Sequence, residues 1–453
     1  MDGRLYQRGE RGYEEARCAA VWNGRKPQRF PELIVVAGSE DDVVITVRIA
    51  REKGLKIAVR SGGHSWVGAS VRDGGILLDL SALREVTVDP GARTASVQSG
   101  VVGGALDAAL AEHDLFFPVG HCPDAGVAGF LLGGGYGWNS KSLGPACFSI
   151  EAVDVVTAGG ELIRADDDSH RDIMWAVRGG GPGIYAIVTR FHLKVYPRPK
   201  AITQTTQVYP AEVAADVLRY AMEAPLSPEV EVAVTATIPP IEGFTLPVVL
   251  LTATCFVDTA EQARDLLAPL ESAPIAERAM IQEARVPKSM DDLFEEMARG
   301  RPRGLRYAAD NMWTAASPDE LVPALAPLFE AMPNPRSHVI LYCWGEDRVA
   351  PDAAWSSQAP LYLSLFGVWE DGADDERLLS WVHGSVEAVV GLSAGATFCD
   401  SDLSRRFDRP ISETNRARME RLRSVHDPDG VLHSYLVEPA NRYAGHTPTG
   451  SPH

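Results

Sequence analysis

No stretch of the 453 residues approaches the roughly 18 consecutive apolar residues of a membrane span. The opening MDGRLYQRGERGYEEAR has no apolar core of the kind a secretory leader needs. A cytoplasmic protein is expected. Basic charge is short, with 43 Lys and Arg against 61 Asp and Glu for a formal net charge of −18. A surface of that sign repels phosphates and argues against a nucleic-acid partner. Cysteine is sparse and irregular: Cys18, Cys122, Cys147, Cys255, Cys343 and Cys399 make neither a disulfide framework nor a CxxC pair, and no metal site is expected. Neither GxxxxGK[ST] nor HExxH occurs, which removes P-loop and zincin chemistry.

Glycine, by contrast, is abundant: 41 residues, many of them between positions 54 and 185, where backbone must come close to something. Residues 34–59 read as strand, helix, strand: IVVA, then DDVVITVRIAREKG with Val43, Val44, Val47 and Ile49–Ala50 in helical spacing and a stop at Gly54, then LKIAVR. Strand patterns follow in GGILLDL, REVTVD and TASVQSG, then a helix, GGALDAALAEHD, and the strands EAVDVVTAGG and GIYAIVTRFHLKVYP. After YPRPK glycine thins. Strand runs (AITQTTQVY, VEVAVTATI, LPVVLLTATCFV, HVILYCWG, LYLSLFGVW) alternate with the amphipathic helices DTAEQARDLLAPL and SPDELVPALAPLFEAM. That pattern fits a mostly antiparallel sheet covered by helices on one face. The end, ISETNRARMERLRSVHDPDGVLHSYL, reads as helix, turn and short strand.

Three glycine segments stand out. Arg60-Ser61-Gly62-Gly63-His64-Ser65 follows a strand, and adjacent glycines there let backbone N–H groups converge on an anion, with Arg60 and Ser61 beside them. Taken alone, the segment is more readily a tight turn with a surface His. The stretch from Gly120 to Trp138 holds seven glycines, too many for a helix and too ordered for a linker, and a flat ligand could lie on its backbone. Within it Cys122 follows His121, whose imidazolium would favour a thiolate; the alternative is a buried thiol without a role. The third, Arg178-Gly179-Gly180-Gly181-Pro182-Gly183, precedes a strand rather than a helix and has no acidic residue about 20 positions on, so it is not a Rossmann fingerprint.

In this order and spacing the segments resemble the berberine bridge enzyme-like FAD-linked oxidases, within the vanillyl-alcohol oxidase/p-cresol methylhydroxylase (PCMH) class. The likeness runs from about residue 30 to 197 through VRSGGHS, GHCPDAGVAGFLLGGGYGW, EAVDVVTAGGELIRA and DIMWAVRGGGPGIYAIVTRFHL, and returns at HDPDGVLHSYL. It implies an α+β protein with a two-lobed PCMH-type FAD-binding domain over 1–197, a substrate domain with a large antiparallel sheet over 198–403, and a C-terminal segment, 404–453, returning to the first domain. It implies bicovalent FAD: the 8α carbon on His64 and flavin carbon 6 on Cys122. The remaining cofactor contacts fall by the same likeness on Arg60, Ser61, Gly62, Gly63 and Ser65 for the pyrophosphate, on Gly120, Gly126, Val127 and Gly129 along the ring edge, and on Gly134, Gly137 and Trp138 after them. Gly183, Ile187 and Val188 flank the adenosine half, and Tyr435 lies on the closing strand.

The implied reaction is hydride removal from a secondary-metabolite alcohol, sugar or amine, with dioxygen reduced to hydrogen peroxide. Its rivals are a dehydrogenase of the same fold and a non-catalytic flavin-binding protein. The likeness breaks at the base, because relatives carry an Asn-Tyr segment where this chain reads Ala396-Thr397-Phe398-Cys399-Asp400-Ser401-Asp402-Leu403. Asp400 and Asp402, two apart on a strand, would face one side and raise one another's pKa. The alternative is a solvated acidic loop. Alternation in LYLSLFGVW puts Tyr362, a further candidate catalytic group, with Ser364, Phe366 and Val368 on one face; with Tyr342, Trp344 and Trp369 they offer an aromatic wall or a plain core. The sequence leaves substrate and oligomeric state open.

Overall fold

A computed structural model describes residues 2–239, 246–345, 350–356, 359–405 and 410–436. In the first lobe the helix Glu40–Lys53 starts at Ser39, whose hydroxyl accepts the Asp42 N–H, and stops at Gly54 in the left-handed region (φ 63°). Its stripe Val43, Val44, Val47 and Ala50 packs on Ile57, Ile76 and Leu78. Those residues belong to a four-stranded sheet ordered Arg4–Gln7, Leu33–Val36, Ile76–Asp79, Ile57–Arg60, parallel except for its first strand. A second, antiparallel sheet runs Val86–Asp89, Thr94–Gln98, Ala186–Lys194, Ile150–Thr157, Leu162–Asp166.

The chain's end rejoins the first sheet. Ile57 N–H donates to the Val431 carbonyl and His433 N–H to the Ile57 carbonyl, both at 2.8 Å. The expected closing strand is only a bridge at Leu432, because the buried Asp427 carboxylate takes up the Val431 and Leu432 N–H groups (2.7 and 3.0 Å).

The second lobe is a seven-stranded antiparallel sheet ordered Ile281–Lys288, Ala201–Pro210, Val248–Val257, Val230–Thr237, His338–Cys343, Leu361–Trp369, Arg306–Thr314. Leu361, Leu363 and Leu365 face the helices Ala214–Glu223, Ala260–Glu271 and Pro318–Glu330, whereas Tyr362 and Phe366 point the other way, as alternation requires. Two strands escape the sequence pattern for different reasons. Ile281–Lys288 is an exposed edge with no apolar alternation, and Arg306–Thr314 carries buried Asp310 and Asn311 in its middle. Among the described residues no helix is long and apolar enough to cross a membrane.

Candidate active site

One cavity of about 390 Å³ lies between the glycine loops and the uncovered face of the seven-stranded sheet. Arg60–Ser65 and Gly120–Gly129 meet backbone to backbone on one side of it. A Cβ on Gly62 would sit 2.4 Å from Gly126 N, and one on Gly126 2.5 Å from Gly62 N, so neither position admits a side chain. Ser61 Oγ ties the first loop to the Ser99 carbonyl at 2.6 Å. Among the described residues the backbone N–H groups of Gly62, Gly63, His64 and Ser65 donate to no protein acceptor, the arrangement an anion cradle needs. Arg60, expected to help there, is already engaged: it is ion-paired with Asp79 at 2.9 Å and also donates to the Ala20 and Gly62 carbonyls.

His64 lines the same cavity, its ring tilted by 33° against Trp22 (centroids 4.8 Å). Asp124 Oδ1 lies 3.1 Å from its Nε2, without the alignment of a hydrogen bond. Burial works to raise the Asp124 pKa, but the contacts with His64, Arg303 and Trp22 outweigh it and hold the carboxyl well below the usual carboxylate range.

Cys122 lies on the same wall, and burial pushes its thiol up to about 11. His121 does not supply the cation expected of it. It is wedged edge-on to Trp138 (4.5 Å) and stacked on Tyr342 (5.3 Å), and burial, with Arg301 nearby, takes it down to about 3. An imidazole so desolvated stays neutral. The positive charge that favours the Cys122 thiolate belongs to Arg301, a residue with no motif around it, placed by the end of the helix Met290–Gly300.

The opposite wall consists of Ile340, Tyr342, Trp344, Tyr362 and Phe366, with Tyr136 and Trp66 reaching in from the first lobe. Asp400 lies at its edge, accepting from Trp66 Nε1 at 3.1 Å and Tyr362 OH at 3.2 Å. Burial and the Asp400 charge keep the Tyr362 phenol protonated, so it serves as a donor. The segment is not the expected strand. Asp400 has left-handed backbone (φ 53°), and the neighbouring carboxylates part company: Asp402 turns inward, 4% exposed, to His383 Nε2 at 2.9 Å and to Ser404. Burial opposes ionisation of Asp402, but the hydrogen bonds from His383 and Ser404 hold its carboxyl below the usual range. What fixes this loop is Asn311, whose amide donates to the Cys399 carbonyl and Ser401 Oγ (both 2.8 Å) and accepts the Thr397 N–H (2.9 Å). A buried Asn inside a strand is the signal that would have found it.

Of the other expected contacts, Ser65, Gly120, Gly129, Ile187 and Val188 line the cavity, whereas six residues lie behind it. Val127 and Trp138 are in the apolar core, and Gly137 backs onto the Val119 carbonyl. Gly134 meets the Trp355 ring, and Gly183 accommodates the hydroxyl of Tyr435, which stacks on Phe398. The seven-glycine stretch does contain a helix, Val127–Leu132, short enough for Gly126 and Gly133 to bound it.

These residues fit a flavin dinucleotide: a cradle that any Cβ would fill, uncommitted backbone donors, and His64 and Cys122 on one wall. A family model described as an FAD binding domain matches residues 31–166. The FAD-linked oxidoreductase nodO of Hypoxylon pulicicidum is 32% identical over 436 residues, covering 94% of this chain and 95% of the relative. Among solved structures, 6-hydroxy-D-nicotine oxidase from Arthrobacter nicotinovorans superposes with a TM-score of 0.82 at 22% identity, over 96% of this chain and 98% of that one. Berberine bridge enzyme from Eschscholzia californica does so with a TM-score of 0.77 at 20% identity, over 96% of each chain. Near full-length kinship with an FAD-linked oxidoreductase means that the chain belongs to the FAD-linked oxidoreductases, and it shares the fold of 6-hydroxy-D-nicotine oxidase and berberine bridge enzyme.

Proposed function

We propose that the protein is an oxidase of ring-bearing alcohols or amines that holds FAD through two covalent bonds, at His64 and Cys122. The observation that carries this reading is the placing of both side chains on one wall of a cavity whose other wall is aromatic and ends in a carboxylate. Bound FAD would supply the acceptor for the substrate's hydride, with dioxygen as the final oxidant giving hydrogen peroxide. The chain's own part is positioning and proton transfer. Asp400 takes the substrate's O–H or N–H proton on its carboxylate, held ready by the Tyr362 hydroxyl and the Trp66 indole. Tyr342, Trp344 and Phe366 offer flat faces to a ring and keep water from the reacting centre. Residues 1–197 and 404–436 then serve the cofactor, and 198–403 the substrate; the rest of the expected C-terminal segment, 437–453, lies outside the described residues. The name of 6-hydroxy-D-nicotine oxidase, on the same fold, supports dioxygen as acceptor.

Intact mass after acid denaturation tests the reading. The wild-type chain is expected to carry one FAD, as are His64→Ala and Cys122→Ala through the remaining bond, while the double variant releases its pigment. A single change that frees all of it refutes the two-bond assignment. Peroxide formed in step with substrate consumption separates an oxidase from a dehydrogenase.

A further inference from the structure

Arg301 is a cation that makes no ion pair among the described residues. Its guanidinium stacks over Phe366 (4.6 Å to the ring centroid), with one terminal nitrogen 3.4 Å from His338 Nε2 and the other 3.8 Å from Met297 Sδ. Its Nε is buried and finds no acceptor among the described residues, and no carboxylate there lies within ion-pairing distance. Such a charge is costly to bury unless it acts on something. It lines the cavity together with Cys122, and its charge works to lower the pKa of that thiol against the burial that raises it.

We propose that Arg301 is the positioning residue that makes Cys122 nucleophilic toward the flavin. The inference rests on the two-bond reading above. The other groups around the sulfur do not do this work: Asp124 and Asp400 oppose a thiolate, Tyr307 and Tyr342 are phenols that burial keeps protonated, and His121 is neutral. The thiolate, not the thiol, is the attacking species. The sulfur forms a C–S bond to the ring carbon, the hydrogen on that carbon leaves as a proton, and the two electrons released reduce dioxygen to hydrogen peroxide. The sum is thiol plus aromatic C–H plus dioxygen giving thioether plus hydrogen peroxide.

The test uses the full-length chain carrying His64→Ala, so that any acid-stable flavin hangs on Cys122. Flavin-depleted protein is given FAD in air, and adduct growth is followed by intact mass from pH 6 to 10. Each unit by which the cation lowers the thiol pKa is tenfold in thiolate. Adding Arg301→Met is therefore expected to slow attachment at least tenfold at neutral pH, with recovery toward high pH. Arg301→Lys should restore most of the rate. Equal rates with and without Arg301→Met overturn the inference, whereas no adduct at all in His64→Ala overturns the two-bond reading beneath it.

Should Arg301→Met lose its affinity for FAD, alkylation of Cys122 by iodoacetamide, located by peptide mass, answers without flavin. The pH midpoint of that reaction moves up in the variant if Arg301 acts on the sulfur, and an unmoved midpoint refutes it.

Discussion

The two walls of the cavity are made of different material. On the first-lobe side the wall is backbone, where Gly62 and Gly126 touch with no space for a carbon between them. On the other side it is side chain: Tyr342 and Tyr362 from adjacent strands, Arg301 from a helix end, and Asp400 from a loop that Asn311 fastens. A cofactor has one shape, and backbone held by steric exclusion meets it rigidly. Substrates vary, and a wall of exchangeable side chains on a fixed sheet can vary with them. Damage to the first wall should therefore abolish the holoprotein, and damage to the second, Arg301 apart, should change turnover while leaving the holoprotein intact.

The largest effect is expected on the backbone wall. Gly62→Val drives a side chain into Gly126, forcing the loops apart. Beyond an overpacking penalty of about 1–3 kcal/mol, it should leave protein without flavin, read as a lowered Tm and a collapsed ratio of flavin to protein absorbance. A yellow, fully stable variant would break the contrast. On the side-chain wall, Asp400→Asn should cut kcat/KM by about 10²–10⁴ with flavin content and Tm unchanged, a split that steady-state kinetics and melting curves resolve together.

Asp402→Asn, two residues on, sharpens the distinction. Its carboxylate faces His383 rather than the cavity, so activity should stay within about twofold while stability falls by about 1–3 kcal/mol at pH 7. The folded carboxyl is held below its unfolded value near 3.9. Its contribution is thus full above that pH and is lost as the pH falls through the folded pKa, and the deficit of the variant should vanish on strong acidification. Denaturant titrations at pH 7 and near pH 3 check the sign.

The contrast also explains what was legible beforehand. The glycine loops, the helix Glu40–Lys53 with its stop at Gly54, and the alternating strand Leu361–Trp369 were readable because each is specified by neighbours in sequence. The edge strand Ile281–Lys288 was not, since an exposed strand needs no apolar period. Nor was the parting of Asp400 and Asp402, which follows from a left-handed backbone at Asp400 and a hydrogen-bonded clamp from Asn311, 89 positions earlier in the chain. What Arg60 and His121 have in common is that the availability of a charge depends on its partners and its burial, and neither is written beside it.

By itself, then, the sequence determined the backbone wall: runs of glycine after strands, with a His and a Cys set in them, because short-range sterics decide where a chain can turn and how closely another can approach. Only the tertiary structure decided which charges act. It spent Arg60 on Asp79, silenced His121 by burial, turned Asp402 to His383, and brought Arg301 and Asp400 to one cavity, since electrostatic energies depend on distance and solvent rather than on order along the chain.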